Sequence, residues 1–375
     1  MLLGRRTGGT TVIQRDRATI RDTVPALYGP LLPPFFSESA PKESAATCLC
    51  CPMVPGPGCS PEPSSLFFDP RTKCCTYFPK IPNYLVGGLL SGAAPALAEG
   101  RRRVRARIKS RVGVTPWGLL PGKRFDLLYL AGAAHAFGRS EHLACPYHDS
   151  ASGKCTVRPW WEATCQTWFC KHDAGLDGLT FWRALQRYIA GLEKALASYV
   201  LNRTGLFAAD PPLHGAVQAL DAADLDERPL TDADYRRLWG RFAGREEVFY
   251  QRAYALVRRL TRKEFEKVGG ASLALRLRVL KEAHAPAVAK RVPPFLQRAP
   301  GLASTRLNDG RYRLTSYSEF DPLVVARAVF LLLEKFDGAR TNRQIGAALR
   351  RAGKAAFSER ALLQLYQARI LIKPQ

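Results

Sequence analysis

The chain contains no run of about 20 consecutive apolar residues, the length a spanning helix requires. Its longest apolar stretches, YLVGGLLSGAAPALA at 84–98 and VVARAVFLLL at 324–333, fall short of that. The opening residues, MLLGRRTGGTTVIQRDR, are basic but lack the apolar segment of ~7–15 residues found in a secretory signal. These two absences argue against a membrane span and against export, so a cytoplasmic protein is expected. GxGxxG, the P-loop, HExxH and GxSxG are missing as well. Dinucleotide, phosphate, zinc-protease and serine-hydrolase chemistries therefore lack their signatures. Cysteine is absent from residues 171–375, and Lys supplies only 15 of the 56 basic residues.

A length of 375 residues exceeds what one small core needs and predicts two or three domains. With 46% apolar and 23% charged residues the chain has the composition of a folded protein. Its net charge of +24 is unusual. Such a field attracts nucleic acid, anionic lipid or an acidic partner at low salt. The excess of Arg over Lys is also what a GC-rich genome produces, so nucleic-acid binding is not the favoured reading. The most basic segment, EGRRRVRARIKSR at 99–111, reads as a helix whose apolar stripe is only Val104 and Ile108. It could track phosphates or lie on an anionic membrane. A solvated face is the preferred reading.

The fold class expected is mainly α, with some β. Residues 1–44, rich in Arg, Gly, Thr and Pro and without periodicity, read as a flexible tail or an over-long predicted start. Residues 45–205 form an irregular cysteine-rich helical domain, with PMVPGPGCSPEP at 52–63 as a loop. Its closing helix carries Phe181, Leu185, Tyr188, Ile189, Leu192, Leu196 and Tyr199 at helical spacing behind Asp177 as the cap. Residues 206–292 read as a helical region. Thr231 and Asp234 open one helix, REEVFYQRAYALVRRLTRKEFEKVGG runs to a Gly-Gly stop, and a last helix breaks near Pro286. Residues 293–375 follow the order strand, three helices, strand, with N-caps at Thr341 and Ser358 and stops at Gly338 and Gly353. That is the order of a small winged-helix domain.

All ten cysteines fall between Cys48 and Cys170. In a reducing compartment clustered thiols bind metal or do redox work more often than they pair. Cys48 and Cys51 have the spacing at which one turn aims two thiolates at a single ion. Cys145 and Cys155 sit in turns whose backbone amides can donate to a thiolate. Metal capture at a structural site is worth roughly 10–16 kcal/mol against roughly 2–4 for a disulfide, enough to order a proline-rich region. Cys50 and Cys59 are the spare thiols. His148 and His172 could replace a cysteine but read as solvated loop histidines. Trp160, Trp161, Trp168 and Trp182 read as a dry shell around the site.

The motifs ATCLCCP, KCCTYFPKIPNYLVG, ACPYHDSASGKCTV, EATCQTWFC and LTFW, in this order, resemble the YkgJ-type cysteine-cluster family of zinc- or iron-chelating proteins. The likeness spans about residues 45–200. It implies Cys48, Cys51, Cys74, Cys75, Cys145, Cys155, Cys165 and Cys170 as metal ligands. Eight thiols suit two four-thiolate zinc sites, or an iron–sulfur cluster with a second metal. This chain departs from the family opening, CxxCxxCC, by placing 22 residues between CLCC and the later CC. The Arg158-Pro159 pair is also displaced from the cysteine it usually precedes. Some family members resemble flagellin lysine N-methylases, which would imply an S-adenosylmethionine-dependent iron–sulfur enzyme. The CxxxCxxC loop of a radical site is not present. The segment FDGARTNRQIGAALRRAGKAAFSERALLQLYQARIL resembles the winged-helix modules related to PqqD, which implies a peptide or protein partner held along a strand edge. The function expected is therefore metal binding by a cytosolic protein, structural or redox, with partner binding at the C-terminal domain. A protein-modifying enzyme is the alternative.

Overall fold

The structure, a computed structural model, describes residues 18–45, 51–54, 67–206, 222–289 and 291–374. Its helices are α1 (Asn83–Ser91), α2 (Ala98–Ser110), α3 (Lys123–Ala136), α4 (Ala163–Thr167), α5 (Gly175–Thr204), α6 (Asp232–Trp239), α7 (Glu246–Arg258), α8 (Arg262–Val288), α9 (Arg327–Leu333), α10 (Asn342–Arg351) and α11 (Glu359–Gln367). The strands are β1 (Ile81–Pro82), β2 (Val114–Thr115), β3 (Gly118–Leu119), β4 (His148–Asp149), β5 (Lys154–Cys155), β6 (Phe295–Arg298), β7 (Ala303–Arg306), β8 (Tyr312–Thr315), β9 (Leu323–Val325), β10 (Asp337–Thr341) and β11 (Leu371–Ile372). The class is mixed α and β with small antiparallel sheets. No helix among the described residues is long and apolar enough to cross a membrane.

The apolar run at 84–98 begins as α1, which is buried on every side from Asn83 to Leu90. Small residues let it sit that deep. A Cβ on Gly87 would stand 1.8 Å from the Tyr250 carbonyl oxygen, and one on Gly88 2.2 Å from the Trp160 ring. The α1 backbone therefore rests directly on α7 and on Trp160. Helix α5 buries Phe181, Leu185, Tyr188, Ile189, Leu192 and Leu196 on one face, as their spacing predicts. Asp177 is not its cap. Ala174 holds that place, while Asp177 lies in the first turn, favourable to the helix dipole, and pairs with Arg369 at 3.0 Å.

Thr231 caps α6 as expected. The single helix expected to follow is two, because Thr261 and Glu264 close a capping box that starts α8 afresh. Gly270 interrupts α8 with φ 59° and ψ −166°, so the expected Gly-Gly stop appears as a kink. Pro286 sits within the last turns, and the helix runs on to Val288.

One apolar core extends from Ile20 to Ala287. This corrects two expectations. Residues 18–44 are not a tail, for Ile20, Tyr28, Leu31, Leu32 and Phe36 are all buried in that core. The regions 45–205 and 206–292 do not have separate cores, since α1 packs on α7 and α5 on α8. A second core, from Leu296 to Leu371, belongs to the C-terminal residues alone. There the sheets β10-β6-β11 and β7-β8-β9 are both antiparallel. Thr341 and Ser358 cap α10 and α11, and Gly353 leaves α10 with φ +66°. Gly338 instead lies within β10, a strand standing between α9 and α10.

Helix α2 buries Val104 and Ile108, the expected stripe, and also Gly100. Several of its cations bind within the chain. Arg105 pairs with Glu247, Arg111 with Asp232, and Arg107 reaches the Leu120 carbonyl.

Candidate metal centre

The cysteines stand on short, irregular pieces joined by hydrogen bonds. The Cys145 amide donates to the Cys75 carbonyl at 2.7 Å, tying the vicinal pair Cys74 and Cys75 to the loop that follows α3. Strands β4 and β5 then form a hairpin that sets His148 opposite Cys155. Arg103 of α2 donates to the carbonyls of Pro146 and His148, both at 2.8 Å, so the basic helix fixes this loop. The Arg158–Pro159 peptide is cis. Glu162 caps α4 by accepting from the amides of Thr164 at 2.8 Å and Cys165 at 2.9 Å, which sets Cys165 in the first turn.

Cys74, Cys75, Cys145, Cys155 and Cys165 converge on the wall of one cavity of about 340 Å³. Tyr77, Tyr129, Phe137, Trp161, Trp168 and Phe320 supply much of the remaining wall, with His148, Glu162 and Glu319 as its other titratable groups. Mutual effects among the thiols show which are neighbours. A hydrogen bond to Cys74, burial, and the charges of Cys74, Cys145 and Cys155 push the Cys75 thiol up, while its partner Cys74 is lowered by that bond. Burial, then Glu162, Cys145 and Cys155 raise Cys165. Burial, then Cys74 and Cys51 raise Cys170. Cys74 thus acts on Cys145 as well as on Cys75 and Cys170, while Cys51 and Cys170 stand outside the cavity wall. Cys48, Cys50 and Cys59 lie outside the described residues.

Burial raises Cys145 and Cys155 too, and nearby backbone amides oppose that rise in each. The amides of Tyr147 and His148 favour the charged form of Cys145, and those of Val157 and Arg158 that of Cys155. Trp161 adds its Nε1–H to Cys155 Sγ at 3.1 Å.

Both histidines depart from expectation, for His148 and His172 are buried rather than solvated. The tryptophans divide. Trp182 is fully buried, Trp160 and Trp161 are partly so, and Trp168 is 44% exposed where it edges the cavity against Phe137. Three groups escaped the sequence reading. Glu193, buried inside α5, accepts from the Ala163 amide at 3.1 Å and from Tyr28 Oη at 3.1 Å, so the N-terminal residues brace α4. Burial and the nearby Glu162 carboxylate push Glu193 well above the usual carboxyl range. Its spacing alone would place it on the polar face. Glu319 and Phe320 arrive from the C-terminal residues, where Asp321 accepts from the His172 amide at 3.0 Å. A loop with no periodicity carried no signal for that.

The donors have the chemistry a thiophilic metal needs. Among the described residues the cysteines form no disulfide. Buried thiols that raise one another's proton affinity are ionised readily once a cation lies among them, and amide donors at sulfur are the outer support of metal thiolates. Also among the described residues, no three His, Cys, Asp or Glu groups are gathered closely enough to hold an ion as they stand. The thiols share the cavity wall instead. Comparison of the chain with protein-family models, curated proteins and solved structures finds no match.

Proposed function

We propose that this chain is a metal-binding protein of the YkgJ-like kind, in which Cys48, Cys51, Cys74, Cys75, Cys145, Cys155, Cys165 and Cys170 hold zinc or iron, the latter as an iron–sulfur cluster. The observation that carries this reading is the convergence of five of these cysteines on one cavity, one of them accepting the Trp161 Nε1–H at 3.1 Å. When bound, the metal supplies either a structural cross-link or a redox centre. The chain's own part is to hold the thiolates, exclude water with Tyr77 and Trp161, and fix the loops through Arg103 and Glu162.

A catalytic use of the same centre is the second reading, favoured by the cavity itself. At about 340 Å³ it reaches the lower range of small-molecule pockets, far more room than a closed structural site encloses. For the C-terminal residues we propose partner binding. Strand β7 is the edge of its sheet and every residue of it is exposed, which suits the addition of an extended peptide.

Elemental analysis and an absorption spectrum of the anaerobically purified chain test the first proposal. Iron with a broad band near 400 nm supports the cluster, and a colourless, zinc-loaded protein supports the structural site. Protein that neither retains nor takes up metal refutes both.

A further inference from the structure

The hairpin that carries Cys155 also carries a group that the cysteine pattern leaves aside. His148 lies directly opposite Cys155 in the antiparallel pair. Residues so placed project to the same face, with Cβ atoms about 4.5–5.5 Å apart. Both residues line the cavity, as do Cys75 and Cys145. The imidazole is held in one orientation. Its Nε2 lies 2.8 Å from the Arg71 carbonyl oxygen, which can only accept, so Nε2 carries the proton and Nδ1 the lone pair. The backbone of the same residue is pinned by Arg103 on its carbonyl and by its own amide donating to the Cys145 carbonyl at 3.0 Å. His148 is only 7% exposed, and Nδ1 is buried without a hydrogen-bond partner. A lone acceptor buried in this way is costly unless something binds it. An imidazole that gives one N–H to a backbone carbonyl and keeps its other nitrogen unpartnered on a cavity wall it shares with thiols has the outer-shell arrangement of a metal-bound histidine.

We propose that His148 ligates the metal through Nδ1, alongside Cys75, Cys145 and Cys155, a set that a bound ion must draw in from the cavity wall, since no three such groups among the described residues stand close enough to hold an ion as they are. The inference rests on the metal reading above and adds a nitrogen donor to what the cysteines alone supply. In zinc the set becomes three thiolates and one imidazole, a four-donor set with one negative charge fewer than four thiolates. In an iron–sulfur cluster, histidine in place of cysteine raises the reduction potential.

Cobalt(II) bound to the full-length chain, prepared anaerobically and labelled with ¹⁵N-histidine, tests this directly. Pulsed EPR of the wild type should show a directly bound histidine nitrogen. His148→Gln should abolish that coupling and weaken cobalt affinity about ten-fold or more. His172→Gln should leave the coupling in place. His148→Cys should restore affinity and strengthen the sulfur-to-cobalt charge-transfer band, which separates loss of a ligand from loss of the fold. An unchanged nitrogen signal and an affinity within about two-fold in His148→Gln would overturn the assignment. A wild type that binds no cobalt, or binds it as well after Cys145→Ser and Cys155→Ser, would instead refute the metal reading on which it rests.

Discussion

Between Phe295 and Ile372, nine regular elements close over an apolar core that includes Leu296, Leu314, Leu333, Ile345, Leu365 and Leu371. Between residues 137 and 172 the α-helical and β-strand pieces are two strands of two residues and one helix of five. The first region is held by burial and helix caps. The second is held by backbone bonds between loops, a carboxylate cap and the burial of Leu143, Tyr147, Val157 and Ala163 in the larger core. With so few residues in regular elements, little hydrogen-bonded secondary structure holds these loops against their entropy, so the comparison teaches that an additional cross-link belongs in the second region and not in the first.

Removing the metal should produce the largest difference between the two. Structural zinc contributes roughly 10–16 kcal/mol in small metal domains. Chelation of the reduced protein is expected to abolish hydrogen-exchange protection at residues 67–81 and 143–172 while α10 and α11 keep theirs. Equal loss in both regions would break the comparison. The converse experiment is Leu365→Ala, which opens a cavity in the C-terminal core and should cost about 2–5 kcal/mol there. Metal content should stay unchanged, and denaturant unfolding followed beside elemental analysis checks both halves of that statement.

Gly87→Ala addresses the helical frame behind the cysteines. Its methyl would meet the Tyr250 carbonyl and must push α1 away from α7, at a cost of about 3 kcal/mol or more. Urea denaturation should show the loss. The smallest effect expected is at the contact of the C-terminal region with α5. Arg369→Ala removes the partly exposed pair with Asp177 and should change stability by about 1 kcal/mol or less, read from the thermal midpoint.

The same contrast explains what could be read from the residues alone. Periodic elements were legible, because burial of one face imposes a 3.6-residue spacing, as in α5. So were caps whose side chain bonds its own helix, as at Thr231, Thr341 and Ser358. Residues 18–45 were misread because their core residues, Ile20 through Phe36, hang on short 3₁₀ turns with no fixed period. At the centre, the cysteine pattern marks which residues can converge but not how they divide. Nothing in "KCC" says that Cys74 neighbours Cys170 as well as Cys75. Glu193 and Glu319 were hidden because their roles depend on segments far away in sequence.

The central claim, that the converging cysteines are metal ligands, is tested most directly by counting metal and reactive thiols on the same anaerobically purified chain. The account predicts at least one equivalent of zinc or iron, with most of the ten thiols shielded until a chelator releases the metal and makes them reactive together. Metal-free protein whose thiols all react at once, with its exchange pattern unaltered by a chelator, would contradict it.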